Sequence, residues 1–295
     1  MKEVKQKERI IHNSIEELKD KVGNIQKTIF QTIMDFLMNF AEGKPTQKQL
    51  LSINKALKKV ISKDTFRSPV INYLKNFDKV EELQKKIVGK EIGEDLMMMN
   101  LIAEKKLATE EIINGLLNDK MVDANLRSPL RKIIYRYSTT NISMRQAKKE
   151  LEDFILSNKS GAGFAERYVH ILATESLSRF DGMINQRIMN DYGLDGFRIV
   201  GSLIKTSQPQ CIQMVTGKGE LGALKINGKY ASSDIPVIVA KLKEHYPGVN
   251  KYISPSNYFI YRNHWGCRHT FIPTMLLKQD ISELKNRALI NPRLH

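Results

Sequence analysis

The stretch "GFRIVGSLIKT", residues 196–206, is where the chain changes texture. Phe197, Ile199, Val200 and Ile204 are aromatic or β-branched, and such residues fit the pleated, half-buried surface of a strand better than a helix. Everything before it reads as helix. This stretch therefore decides between an all-helical protein and an α+β one, and the reading is α+β: a long helical N-terminal region followed by a small α+β domain with a short antiparallel sheet.

Working back from it, Phe164 to Tyr192 reads as one helix ending at Gly193. The small, flexible "SNKSGAGF", 157–164, places the main boundary there. Further back, Ile15, Leu18, Val22, Ile25, Ile29, Ile33, Phe36, Leu37 and Phe40 recur every three to four residues. That spacing predicts one amphipathic helix, stopped near Gly43 and Pro45. Thr46 with Gln49 is a capping-box pattern. "RSP" occurs at 67–69 and 127–129, each time with Ser as expected N-cap and Pro as first helical residue. "MMM", 97–99, is expected in a helix as core filler.

Working forward, Asn227-Gly228 between short apolar runs predicts a type I′ hairpin. "SDIPVIVAKLKEHYPG" reads as a helix, "NYFIY" and "CRHTFIP" as strands, and "SELKNRAL" as a short C-terminal helix. The Gly-rich "TGKGELG", 216–222, lacks a phosphate-loop pattern and is expected to be a mobile loop. The expected divisions are 1–157, helical; 164–276, α+β; and 277–295, a C-terminal helix and tail.

The chain has 295 residues, 41% hydrophobic, enough for globular cores. No apolar run reaches the roughly 18 residues of a membrane span, and no apolar segment follows the basic N-terminus, so neither membrane nor secretion is expected. Two cysteines make no disulfide framework. The net charge of +15 favours a polyanionic neighbour, with 10 Lys/Arg against 3 Asp/Glu between Gly196 and Pro273. No compact polybasic run stands out, so a lysine-rich solvated surface is the plainer reading. Glu150 and Glu152 read as solvated charges.

The chemistry-bearing residues gather in "RNHWGCRHTFIP", 262–273. Cys267 and His269 stand two apart on one strand face, and His264 precedes them across Trp265-Gly266. Cys211 follows the strand 198–205 and a turn, so approach of the two strands would complete Cys211, His264, Cys267 and His269. Two thiolates and two imidazoles suit tetrahedral zinc in a closed, structural site. Two readings stand beside it: small buried thiols with a solvent-facing histidine, and a Cys–His nucleophile, for which no oxyanion hole or orienting group is visible.

The order of these features resembles the phage Mu F-like head morphogenesis family of minor head proteins. The resemblance covers about 110 residues, from 164 to 273. Arg167 and Ala173-Thr174-Glu175-Ser176 stand where the family helix has its Arg and an A-R-T-E-S-like segment. "IVGSLIKTSQPQC" stands for the following strand and Cys, and His264-Trp265-Gly266-Cys267-Arg268-His269 with Phe271-Ile272-Pro273 for the closing segment. The chain departs from the family in lacking the Asp and Arg of its D-x-R-x-x-x-C turn, in Trp265 where the family has proline, and in His269 where Cys is common. The resemblance implies a virion protein of the head interior or portal vicinity, assembled in a host cytoplasm in several copies. Its expected partners are portal or major capsid protein, and packaged DNA without sequence selection. It also implies Glu175 as a structural partner, with Arg268 its expected mate. An enzyme acting on nucleic acid or protein through Cys/His, and a free basic nucleic-acid-binding protein, remain the alternatives.

Overall fold

The computed structural model describes residues 2–39, 44–140, 142–156, 163–205, 207–249, 251–263 and 269–290, with side chains to 287. The helices run α1 (Lys2–Met38), α2 (Gln47–Val60), α3 (Lys63–Ile92), α4 (Ile102–Leu117), α5 (Asp119–Val122), α6 (Ser128–Thr139), α7 (Met144–Ile155) and α8 (Phe164–Tyr192). Then come β1 (Gly196–Val200), α9 (Pro209–Thr216), α10 (Gly219–Gly222), β2 (Tyr230–Ala231), α11 (Ile235–His245), α12 (Tyr258–Tyr261), β3 (Thr270–Thr274) and α13 (Lys278–Ile290). This is the α+β arrangement expected: long N-terminal helices and a small antiparallel sheet.

Two compact units divide the chain, and both are discontinuous in sequence. One gathers 1–12, 76–108 and 175–295; the other gathers 13–75 and 109–174. Consequently α1, α3, α4 and α8 each give residues to both.

The all-helical unit is built on the apolar stripe of α1. Ile15, Leu18, Val22, Ile29, Ile33 and Leu37 are buried with Ile53 and Leu57 of α2, Phe66 and Val70 of α3 and Leu151 of α7. At one turn Gln26, not Ile25, points inward. Its Oε1 accepts the Glu166 backbone N–H at 2.8 Å, satisfying an otherwise orphaned donor in the first turn of α8. Thr46 and Gln49 form the capping box that opens α2.

In the mixed unit the strand order is β2-β1-β3, antiparallel throughout. Phe197 of the central strand lies opposite Pro273 and Tyr230. Its ring meets those of Tyr230, Tyr258, Phe259 and Phe271 at centroid distances of 5.2–6.0 Å, the main aromatic core of this unit. Pro273 donates nothing to the ladder, which suits its place on an edge strand. The Asn227-Gly228 turn has φ of 47° and 84°, the left-handed pair of a type I′ hairpin, closed by the Ile226–Lys229 bridge.

Local signals failed in identifiable ways. Neither RSP serine is a cap: α3 begins five residues earlier, where Ser62 and Thr65 bond each other, and Pro69 lies inside it. The chain before Ser128 is already helical, a π-turn over Asp123–Arg127. The methionines 97–99 form the α3–α4 turn, with Met98 92% exposed, so they fill no core. "NYFIY" is helical rather than extended, since a capping box at Ser254 and Asn257 turns the chain before Tyr258. Part of "TGKGELG" is helix and not loop: Gly219–Gly222 form α10, whose Glu220 binds Lys241, His245 and Tyr246.

Candidate functional site

The site builds around α8. Its buried positions Leu177, Phe180, Ile184 and Ile188 form an ordinary apolar stripe, yet Asp181 and Asn185 are buried as well. A carboxylate inside an apolar surround needs charged or hydrogen-bonding partners. Two cations supply them. Lys7 of α1 places Nζ 2.5 Å from Asp181 Oδ1, with both side chains at most 1% exposed. Arg262, at the C-terminal end of α12, gives Nη2 to Asp181 Oδ2. Lys7 also donates to Gln84 Oε1 at 2.6 Å, and Gln84 Nε2 donates to Asn185 Oδ1 and to the Phe271 carbonyl of β3. Burial raises the Asp181 carboxyl, but the charges of Lys7 and Arg262 outweigh it and hold the group below the usual carboxylate range.

Arg262 does a second task. Its Nη1 donates to the His269 carbonyl at 2.8 Å, so the two ends of segment 262–269 are stapled together. Its backbone stands at φ 57°, a conformation that costs a non-glycine residue energy, held by its own N–H to the Tyr258 carbonyl at 2.7 Å. Asn263 is equally buried: it accepts from Tyr258 Oη at 2.8 Å and donates Nδ2 to Cys211 Sγ at 3.7 Å. After β1, Glu8 accepts the Ser202 N–H, and Gly201 at φ 146° lets the chain pass Glu8 and His269; a Cβ there would lie 2.8 and 3.0 Å from them.

Of the four expected ligands, Cys211 and His269 are described. Cys211 is fully buried in α9, and His269 is 4% exposed beside β3, not solvent-facing. The expected approach of β1 and the last strand is present, in register Val200 opposite Thr270. His264 and Cys267 lie outside the described residues, as does Arg268. Among the described residues no group of three or more His, Cys, Asp or Glu is placed to hold a metal. Glu175 is half-buried on α8 and Arg167 is exposed. Also among the described residues, no helix is long and apolar enough to cross a membrane.

Sequence reasoning missed Lys7, Gln84 and Asp181. A signal existed for two of them. Asp181 sits four residues from Leu177 and three from Ile184, and Lys7 three from Val4, so each lies on its helix's apolar stripe. A charge on such a stripe needs a buried mate, although the pattern does not name it.

No protein-family model, curated protein or solved structure matches the chain.

Proposed function

We propose that this chain is a structural minor head protein of a tailed phage, assembling with portal or major capsid protein in several copies beside packaged DNA. One observation carries the reading. The helix bearing Thr174-Glu175-Ser176 and the segment opening with Arg262 are fastened to each other by Asp181, in a buried ionic cluster that also takes in Lys7. A buried ionic tie between α8 and the start of segment 262–269 supports a structural use of this region. An enzyme needs a reactive group within reach of substrate. Cys211 has no exposed surface and its sulfur accepts an amide N–H, which disfavours Cys211 as the nucleophile of a Cys–His pair. The +15 charge agrees with work beside a polyanion.

Zinc belongs to the reading as a clip on Cys211, His264, Cys267 and His269, where it would lend stability. Co-expression with portal and major capsid proteins of a tailed phage tests the main claim. A stoichiometric complex surviving gel filtration is expected, and absence of binding to either, with folded protein, refutes it. Elemental analysis of protein purified without chelator tests the clip: about one zinc per chain, lost in Cys267→Ser, is expected, and metal-free protein of normal stability refutes it.

A further inference from the structure

We infer that the solvent face of α2 docks the sugar–phosphate backbone of double-stranded DNA. From Lys44 to Lys63 the chain has six lysines and no Asp or Glu. Leu50, Ile53 and Leu57 bury the inner face of α2. Lys48, Ser52, Lys55 and Lys59 follow at steps of four, three and four, so they form one strip on the opposite side, and the three lysines are exposed. At 1.5 Å per residue the strip is about 16 Å long. Each strand of a duplex presents a phosphate about every 3.4 Å of axis, so every ammonium finds one within reach of its stem.

The flanks extend the positive field. Asp123 is held below the usual carboxylate range, first by its hydrogen bonds from Arg131 and then by the charges of Arg131, Arg127 and Lys58. One carboxylate among those three cations leaves a surplus of two. On the other flank Asn54 Nδ2 donates to Tyr135 Oη at 2.8 Å, joining α2 to α6. Lys44 is turned away, its Nζ spent on the Tyr137 and Ile142 carbonyls.

A linear row of like charges, unbroken by carboxylates, matches a linear polyanion. Leu51 is the exposed large apolar residue of α2, too little for insertion into lipid. Lysines are point charges on flexible stems, so they neutralise phosphates without reading bases. The inference rests on the reading that the chain works beside packaged DNA, and it is independent of portal or capsid binding.

The test uses the full chain and fluorescence anisotropy on unrelated duplexes from 50 to 200 mM salt. Two triple variants carry the same charge change: Lys48→Gln/Lys55→Gln/Lys59→Gln, and Lys218→Gln/Lys243→Gln/Lys251→Gln at exposed positions elsewhere. The α2 triple should flatten the slope of log affinity against log salt by about 2.7, so that wild type loses about 40-fold more affinity over this range. The matched triple should change it little, and Lys→Arg at the α2 positions should keep it. Melting temperatures equal to wild type show that the variants are folded. Equal effects from both triples, an unchanged slope, or no duplex binding by wild type overturns the inference. So does tighter binding to poly-glutamate or to phosphatidylserine vesicles, which would make the surface one for protein or lipid. A stoichiometric portal or capsid complex alongside any of these results leaves the head-protein reading standing.

Discussion

Replacing Asp181 with Asn removes the charge that holds two buried cations. Lys7 and the Arg262 side chain are 0% and 4% exposed, so neither reaches water in the folded state. Opposite charges about 4 Å apart attract by about 4 kcal/mol at an effective dielectric of 20, and much of that offsets desolvation. Removing one member of such a cluster, and leaving the rest buried, costs about 3–5 kcal/mol. For domains of 150–250 residues each kcal/mol moves Tm by about 2–4 °C, so the variant should melt about 10 °C lower. Thermal unfolding by circular dichroism measures it. Lys7→Met should cost less, because Asp181 keeps Arg262. The double variant should be less destabilised than the sum of the singles, since one stranded cation has gone. The acid limb gives a second reading. A carboxylate held below its unfolded value, about 3.9, contributes stability that is present above that pH and lost as pH falls through the folded value. Asp181→Asn should therefore flatten the loss of stability below about pH 4. A Tm within 2 °C of wild type, or additive single variants, refutes this account of the cluster.

Other outcomes follow from named geometry. Gly182→Ala would place a Cβ 2.1 Å from the Phe259 carbonyl oxygen and 2.7 Å from Ile260 Cα, backbone that cannot swing aside; a loss of about 1–3 kcal/mol or more is expected in urea unfolding. The imidazole of His245 is raised by its hydrogen bond to Glu220, with Glu244 adding to this and Lys241 opposing. Its link to α10 should be fully present below about pH 6.5 and lost as pH rises through the raised value; in NMR titration Glu220→Gln should lower the His245 midpoint. A fragment of residues 1–157 should stay helical yet melt broadly, because it lacks the buried Val169, Leu172 and Ala173 of the helical unit and leaves Lys7 without Asp181; a sharp transition would contradict this.

Patterns confined to one element were legible in the chain itself. The stripe of α1, the Thr46–Gln49 box, the long helix to Tyr192 and the Asn227-Gly228 turn each depend on spacing within a few residues, and each was found. The strand character of 196–200, and with it the α+β class, also followed from local residue preference. Where a local signal had a competitor in the chain just before it, as at Ser68, Ser128 and "NYFIY", the structure went the other way. What only the tertiary structure decided has another physical source. Lys7, Gln84, Asp181 and Arg262 are up to 255 positions apart (262 − 7), and a buried charge states its need for a partner without naming it. The same holds for Gln26 capping α8 across 140 residues and for the discontinuous make-up of both units. The lysines of α2 read as scattered surface charge until burial of Leu50, Ile53 and Leu57 set which face meets water and drew Lys48, Lys55 and Lys59 into one row.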